Sequence, residues 1–170
     1  MGRYLNSSTP YGLYQGEANQ PYFVDKSLLL TELFPVLDAG NQHVCITRPR
    51  RFGKTVMANM VSAFFSRGVD STEIFSKLKI AESTDYKKHL NTHDVIRIDF
   101  SRMPRNCNSY DKYIERIERI LIQDLMEAYP KADIQEEDAV WDSLDLVYER
   151  YGCQRFIFVF DEWDLSLIHI

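Results

Sequence analysis

The residues with chemistry to offer lie in two short stretches. The first, HVCITRPRRFGKTVM over residues 43–57, closes a basic loop with Gly53-Lys54-Thr55. A phosphate-binding loop needs a strand before it, backbone N–H groups turned inward, and a helix start whose positive end faces the phosphates. A lysine then reaches the outer phosphates and a Ser or Thr hydroxyl binds magnesium. Gly53 stands where the backbone must approach phosphate closely. Five places earlier, where a glycine is usual, the chain has Arg48. That replacement removes the residue that most easily makes the sharp turn, and Pro49 compensates in part by fixing its own φ. Taken alone, Gly-Lys-Thr is a short match, and a helix start carrying the triplet by coincidence stands beside the nucleotide reading.

The second stretch, FIFVFDEWD over residues 156–164, is an apolar run that ends in Asp161-Glu162. In phosphoryl-transfer enzymes with such loops, an acidic residue at the end of a buried strand supports the magnesium. A glutamate beside it can orient and deprotonate the attacking water. Strands often end in acidic turn residues, so this stretch too has a plain structural reading. The two together, in the order strand–loop–Gly-Lys-Thr–helix and then apolar strand–Asp-Glu, point to a nucleotide site.

The elements that must position these residues follow from periodicity. Residues 1–20 are polar and turn-rich and read as an irregular lead-in. FVDKSLLLTELFPVLDAG (23–40) reads as a helix capped by Asp25 or Ser27, broken or kinked at Pro35 and ended at Gly40. HVCIT (43–47) is a short β-branched run and is expected as a buried strand. From Lys54 a helix carries Val56, Met60, Ala63 and Phe64 on one face and stops at Gly68. DVIRIDFS (94–101) alternates Val95, Arg97 and Asp99 against Ile96, Ile98 and Phe100, the period of a strand. SYDKYIERIERILIQDLMEAY (109–129) repeats Tyr113, Ile117, Ile120, Leu121, Leu125 and Ala128 at helical spacing and stops at Pro130. EEDAVWDSLDLVYERYG (136–152) is a second amphipathic helix, and RFIFVF (155–160) is a strand apolar on both faces, as in the middle of a parallel sheet. Alternating strands and helices give an α/β fold with a mostly parallel sheet.

Composition narrows the function classes. Twenty basic against 25 acidic residues leave a net charge of −5, which argues against broad electrostatic binding to nucleic acid. There is no apolar run of membrane-spanning length and no secretory leader at the start, so the expected location is the cytoplasm. Cys45, Cys107 and Cys153 are an odd number, far apart and without a Cys-x-x-Cys pair, which suits reduced thiols. His89 and His93 stand four apart, but no third ligand sits in a suitable pattern. They are expected to be solvated histidines near a helix end.

With both motifs in view, YFVDKSLLL (22–30), ITRPRRFGKT (46–55), IFSKLKI (74–80) and FVFDEWD (158–164) together resemble the AAA-ATPase-like proteins of anaerobic and gut bacteria. In that family an AAA-like ATPase domain is usually followed by a PD-(D/E)XK-type nuclease domain. The resemblance covers nearly all of residues 1–164, and such proteins typically carry Arg-Pro in place of the first loop glycine. It implies a P-loop NTPase three-layer sandwich, ATP as the nucleotide and Mg2+ as its ion. By position, Arg51, Phe52, Gly53, Lys54 and Thr55 would line the phosphates, with Lys54 on the β and γ phosphates. Thr55 and Asp161 would serve the magnesium, and Glu162 would be the catalytic base. Arg50 and Arg51 also read as surface charges, Asp164 has no role that follows from its chemistry, and Asp25-Lys26 reads as a cap with a solvated lysine. A homo-oligomer and a nuclease domain in cis are the partners the resemblance implies.

The last six residues, Leu165 to Ile170, match in one frame the translation of a transposase-adapter sequence used in DNA sequencing. The expectation is therefore a native segment 1–164 truncated after the Walker B strand, with 165–170 not native. ATPases of this kind place a further strand, bearing a polar sensor, between the loop strand and the Asp-Glu strand. Residues 1–164 contain no such strand. Hydrolysis is thus expected only in a longer protein, with little activity here. The alternative is a nucleotide-dependent switch or scaffold that hydrolyses slowly or not at all.

Overall fold

The computed structural model describes residues 2–40, 43–47, 49, 52–104, 107, 109–152 and 155–163. Arg48, Arg50, Arg51, Asp164 and residues 165–170 lie outside the described residues. The chain forms two compact units: Ser8–His93, and Met1–Ser7 together with Asp94–Ile170.

The Ser8–His93 unit is helical. Its elements are α1 (Thr9–Ala18), a 3-10 turn (Ser27–Glu32), α2 (Phe34–Ala39), α3 (Lys54–Phe65), α4 (Thr72–Phe75), a second 3-10 turn (Lys79–Glu82) and α5 (Tyr86–His89). Helix α1 replaces the irregular lead-in expected over 1–20. Two glycines and Pro10 hid it, but Pro10 lies in the first turn, where its missing N–H costs nothing. Tyr14 then turns inward from α1, stacking on Phe75 with centroids 5.4 Å apart. The 23–40 run is broken at Leu33, just before Pro35: a 3-10 turn precedes the break, and α2 begins at Phe34 with Pro35 in its first turn. Helix α3 buries Met57, Met60, Val61, Phe64 and Phe65, a stripe at helical spacing. It stops at Phe65, three residues before Gly68, because Ser66 is already extended and Arg67 donates its N–H to His93 O at 2.9 Å.

HVCIT is not a strand. Residues 43–47 carry no ladder, and Val44 and Ile46 are 53% and 43% exposed. A β-branched run favours extended backbone, but a strand also needs a neighbouring edge to bond. Among the described residues the Ser8–His93 unit offers none.

The other unit holds the sheet. Strand β1 (Asp94–Asp99) pairs in parallel with β2 (Phe156–Asp161), Asp94 opposite Phe156 and Asp99 opposite Asp161. A parallel pair needs a long crossover, supplied by α6 (Tyr110–Ala128) and α7 (Val140–Tyr151). The Ser109 side chain caps α6 by accepting the Lys112 N–H. Ile96 and Ile98 of β1 meet Tyr113, Ile117, Leu121 and Leu125 of α6 and Leu144 and Val147 of α7 in one core. Residues 4–6 lie along the far edge of β1: Leu5 bridges Ile96 antiparallel, Asn6 N donates to Val95 O at 2.8 Å, and Arg97 N donates to Tyr4 O at 3.0 Å.

Strand β2 was expected in the middle of a sheet. Among the described residues it pairs only with β1, and Phe158 and Phe160 are 38% and 51% exposed. Its apolar residues on both faces signal capacity for burial, which a two-stranded sheet does not use.

Candidate functional site

The lysine loop is built on one glycine. Gly53 has φ 78° and ψ 28°, a left-handed conformation that glycine adopts without penalty. It caps α3, so Lys54 and Thr55 are the first two helical residues. Phe52 N donates to Pro49 O at 3.3 Å and Met57 N to Gly53 O at 3.0 Å, so the chain turns tightly into the helix. The opening N–H groups of an α-helix have no partner within it, and its dipole places partial positive charge there. Phe52 and the Thr55 side chain are exposed, and Lys54 is partly so. An apolar cavity of about 530 Å³ adjoins the loop, lined by Leu29, Leu33, Ile46, Phe52, Met57 and Met60 among others. The donor set of N–H groups, a lysine and a hydroxyl fits an anionic phosphate chain.

The carboxylates stand at the end of β2. Asp161 is 5% exposed. Its Oδ2 accepts from Arg97 Nη2 at 3.0 Å and its Oδ1 accepts from Glu162 N at 3.1 Å. Arg97, on β1 and 8% exposed, also donates from Nη1 to Ile98 O at 2.9 Å, while its buried Nε has no partner. Removing one end of such a buried pair costs roughly 3–5 kcal/mol, because the other charge is left uncompensated. Asp99, opposite Asp161 in register, is engaged locally by Ser101 Oγ at 2.6 Å and Arg102 Nε at 2.8 Å.

Glu162 follows at φ 53°, a left-handed conformation unusual for a glutamate. Its side chain is partly exposed, and Trp163 beyond it is exposed. Backbone strain of this kind collects at functional sites.

Lys54, Thr55, Gly53 and Phe52 therefore share one unit, and Asp161 and Glu162 share the other. For magnesium the fit is incomplete. The Thr55 hydroxyl is open, but Asp161 is buried with each oxygen already accepting a hydrogen bond, so it is not presented as a direct ligand. Among the described residues no three His, Cys, Asp or Glu side chains gather as a metal-ligand group.

The expectation for the histidines needs correction. His89 is 1% exposed, stacked on Phe34 with centroids 4.4 Å apart, and its Nδ1 lies 3.1 Å from His93 Nε2. Its ring fills a gap in the aromatic core around Phe64 and Phe65, and burial holds its pKa below the ordinary histidine value.

Sequence reasoning missed Arg97 as a site residue. Its signal was present: an arginine at an inward position of an apolar strand is rarely buried without a carboxylate partner.

A family model described as "Predicted AAA-ATPase" matches residues 16–170. No curated protein and no solved structure matches the chain.

Proposed function

The chain belongs to that family of predicted AAA-ATPases, and on this premise we propose that it binds ATP through the loop that opens α3. The observation that carries the reading is Gly53 in a left-handed turn with Lys54 and Thr55 at the start of a 12-residue helix. The backbone N–H groups there meet the phosphates, Lys54 balances the β and γ charges, and the Thr55 hydroxyl is the open ligand for the nucleotide's magnesium. The apolar cavity beside the loop supplies a wall for the base. Glu162 is the proposed base for hydrolysis, held in a strained turn. The three-layer sandwich, assembly into oligomers and coupling to a nuclease domain in a longer protein extend the same proposal on the family resemblance.

Binding with little turnover is the second reading. The Arg97–Asp161 pair favours it, because the carboxylate that would support magnesium is already neutralised.

The test is nucleotide binding by the full chain, followed with a fluorescent ATP analogue. Lys54→Ala should weaken binding by about tenfold or more, the loss of one charge-assisted phosphate contact. Equal affinity in the two proteins, with unchanged circular dichroism, would sink the nucleotide reading. Phosphate release from the same samples separates an ATPase from a switch.

A further inference from the structure

We propose that Arg97 is a resident counter-ion that closes Asp161 to divalent cations, so that a cation is taken at Asp161 only when the guanidinium leaves. The inference deepens the nucleotide reading and rests on it for what the cation serves.

Three observations carry it. First, each Asp161 oxygen is already engaged: Oδ2 is paired with Arg97 Nη2 at 3.0 Å, and Oδ1 accepts the Glu162 N–H at 3.1 Å. Second, both side chains of the pair are almost fully buried, at 8% and 6% exposure. A magnesium ion gives up its waters reluctantly and usually keeps several, so neither the bare ion nor its hydrated shell reaches a carboxylate so enclosed. Third, the guanidinium is not fully satisfied. Nη1 and Nη2 have acceptors, but Nε is buried without one. An unmet buried donor makes this pose costly, so it is the kind of contact that exchanges rather than a locked staple. The register explains the placement. Arg97 and Asp99 point to one face of β1, Asp99 is opposite Asp161 on β2, and the long arginine reaches along that face to the carboxylate.

The test uses Mn2+ alone, without nucleotide, on the isotopically labelled full chain. Mn2+ binding is read from the electron paramagnetic resonance of the free ion and from paramagnetic broadening of the Glu162 amide. In the unmodified protein the Glu162 amide should broaden no more than amides remote from any carboxylate. Arg97→Gln should gain a Mn2+ site at least about tenfold tighter, with selective broadening at Glu162. The double variant Arg97→Gln/Asp161→Asn should lose it again. Arg97→Lys, which keeps a cation but cannot bond Asp161 and Ile98 O with two planar arms, should fall between.

Selective broadening of Glu162 in the unmodified protein would overturn the proposal. So would a folded Arg97→Gln with no added Mn2+ affinity. If neither Arg97 variant folds by circular dichroism, the unmodified protein still decides, since its Glu162 amide either broadens or does not. Because nucleotide is absent, failure of the Lys54→Ala test leaves this result standing, and the reverse holds too.

Discussion

Asp124, on α6, accepts the backbone N–H of Leu5 at 3.0 Å, and the same carboxylate takes those of Tyr4 at 2.7 Å and Arg3 at 2.9 Å. One buried acid thus fixes the turn that lays residues 4–6 along β1. Asp124→Ala leaves three N–H groups without their acceptor and should cost ~3 kcal/mol of stability. Asp124→Asn keeps one acceptor oxygen and should cost less. The urea midpoint checks both. Gly2 belongs to the same contact, since a Cβ there would run into the Asp124 carboxyl group, so Gly2→Ala should also lower the midpoint.

Asn91 is the corresponding hub of the helical unit. At φ 55° it donates to Ser66 O and Val69 O, both at 2.8 Å, and accepts from Ser71 N at 3.0 Å. Asn91→Ala loses these bonds and adds left-handed strain, an expected loss of ~3 kcal/mol. Asn91→Gly keeps the backbone conformation and should recover ~1 kcal/mol of that. The order of denaturation midpoints should be wild type, then Gly, then Ala.

Stability should fall on acidification through His89. Burial lowers its pKa most, Asp38 and Asp85 pull it up and Lys88 pushes it down, with the His93 ring stacked beside it. The folded-state pKa lies below the unfolded value, so the neutral ring is the stable form. The contribution is complete above the unfolded pKa, about 6.5, and is lost as pH falls through the lower folded value. The melting temperature should therefore drop between mildly alkaline and mildly acidic buffers. His89→Phe, which keeps the stacking on Phe34, should flatten that part of the profile; an unchanged slope would show the effect lies elsewhere.

Glu162 pays for its position with strain, at φ 53°. Glu162→Gly should raise stability by ~1 kcal/mol by relieving it. Glu162→Gln should keep nucleotide binding and lose any turnover the wild type has. A thermal melt alongside phosphate release separates the two effects.

Much of this was legible in the chain. The stripe Tyr113, Ile117, Leu121, Leu125 announced α6, and its spacing survives in the core. The first amphipathic run broke just before Pro35, and Val95 to Ile98 formed a strand. Local pattern fails where pairing or long-range contact decides. Val44 and Ile46 have strand propensity but, among the described residues, no ladder partner, and α1 has weak periodicity and holds through Tyr14. Asp124, Asn91 and Arg97 all act across at least 20 residues of sequence, beyond the reach of any window. At the candidate loop, residue types suggest the chemistry, and the fold adds only that Gly53 takes a left-handed turn at the start of α3. The partner of Asp161 was not legible, because it comes from another strand.

The clip of residues 4–6 on β1 has an architectural consequence. One margin of the sheet is covered at Val95 to Arg97 by residues 4–6, and the other, along β2, is open among the described residues. The open margin for growth of this sheet therefore runs along β2. A strand added there would lie beside Phe158 and Phe160, next to Asp161.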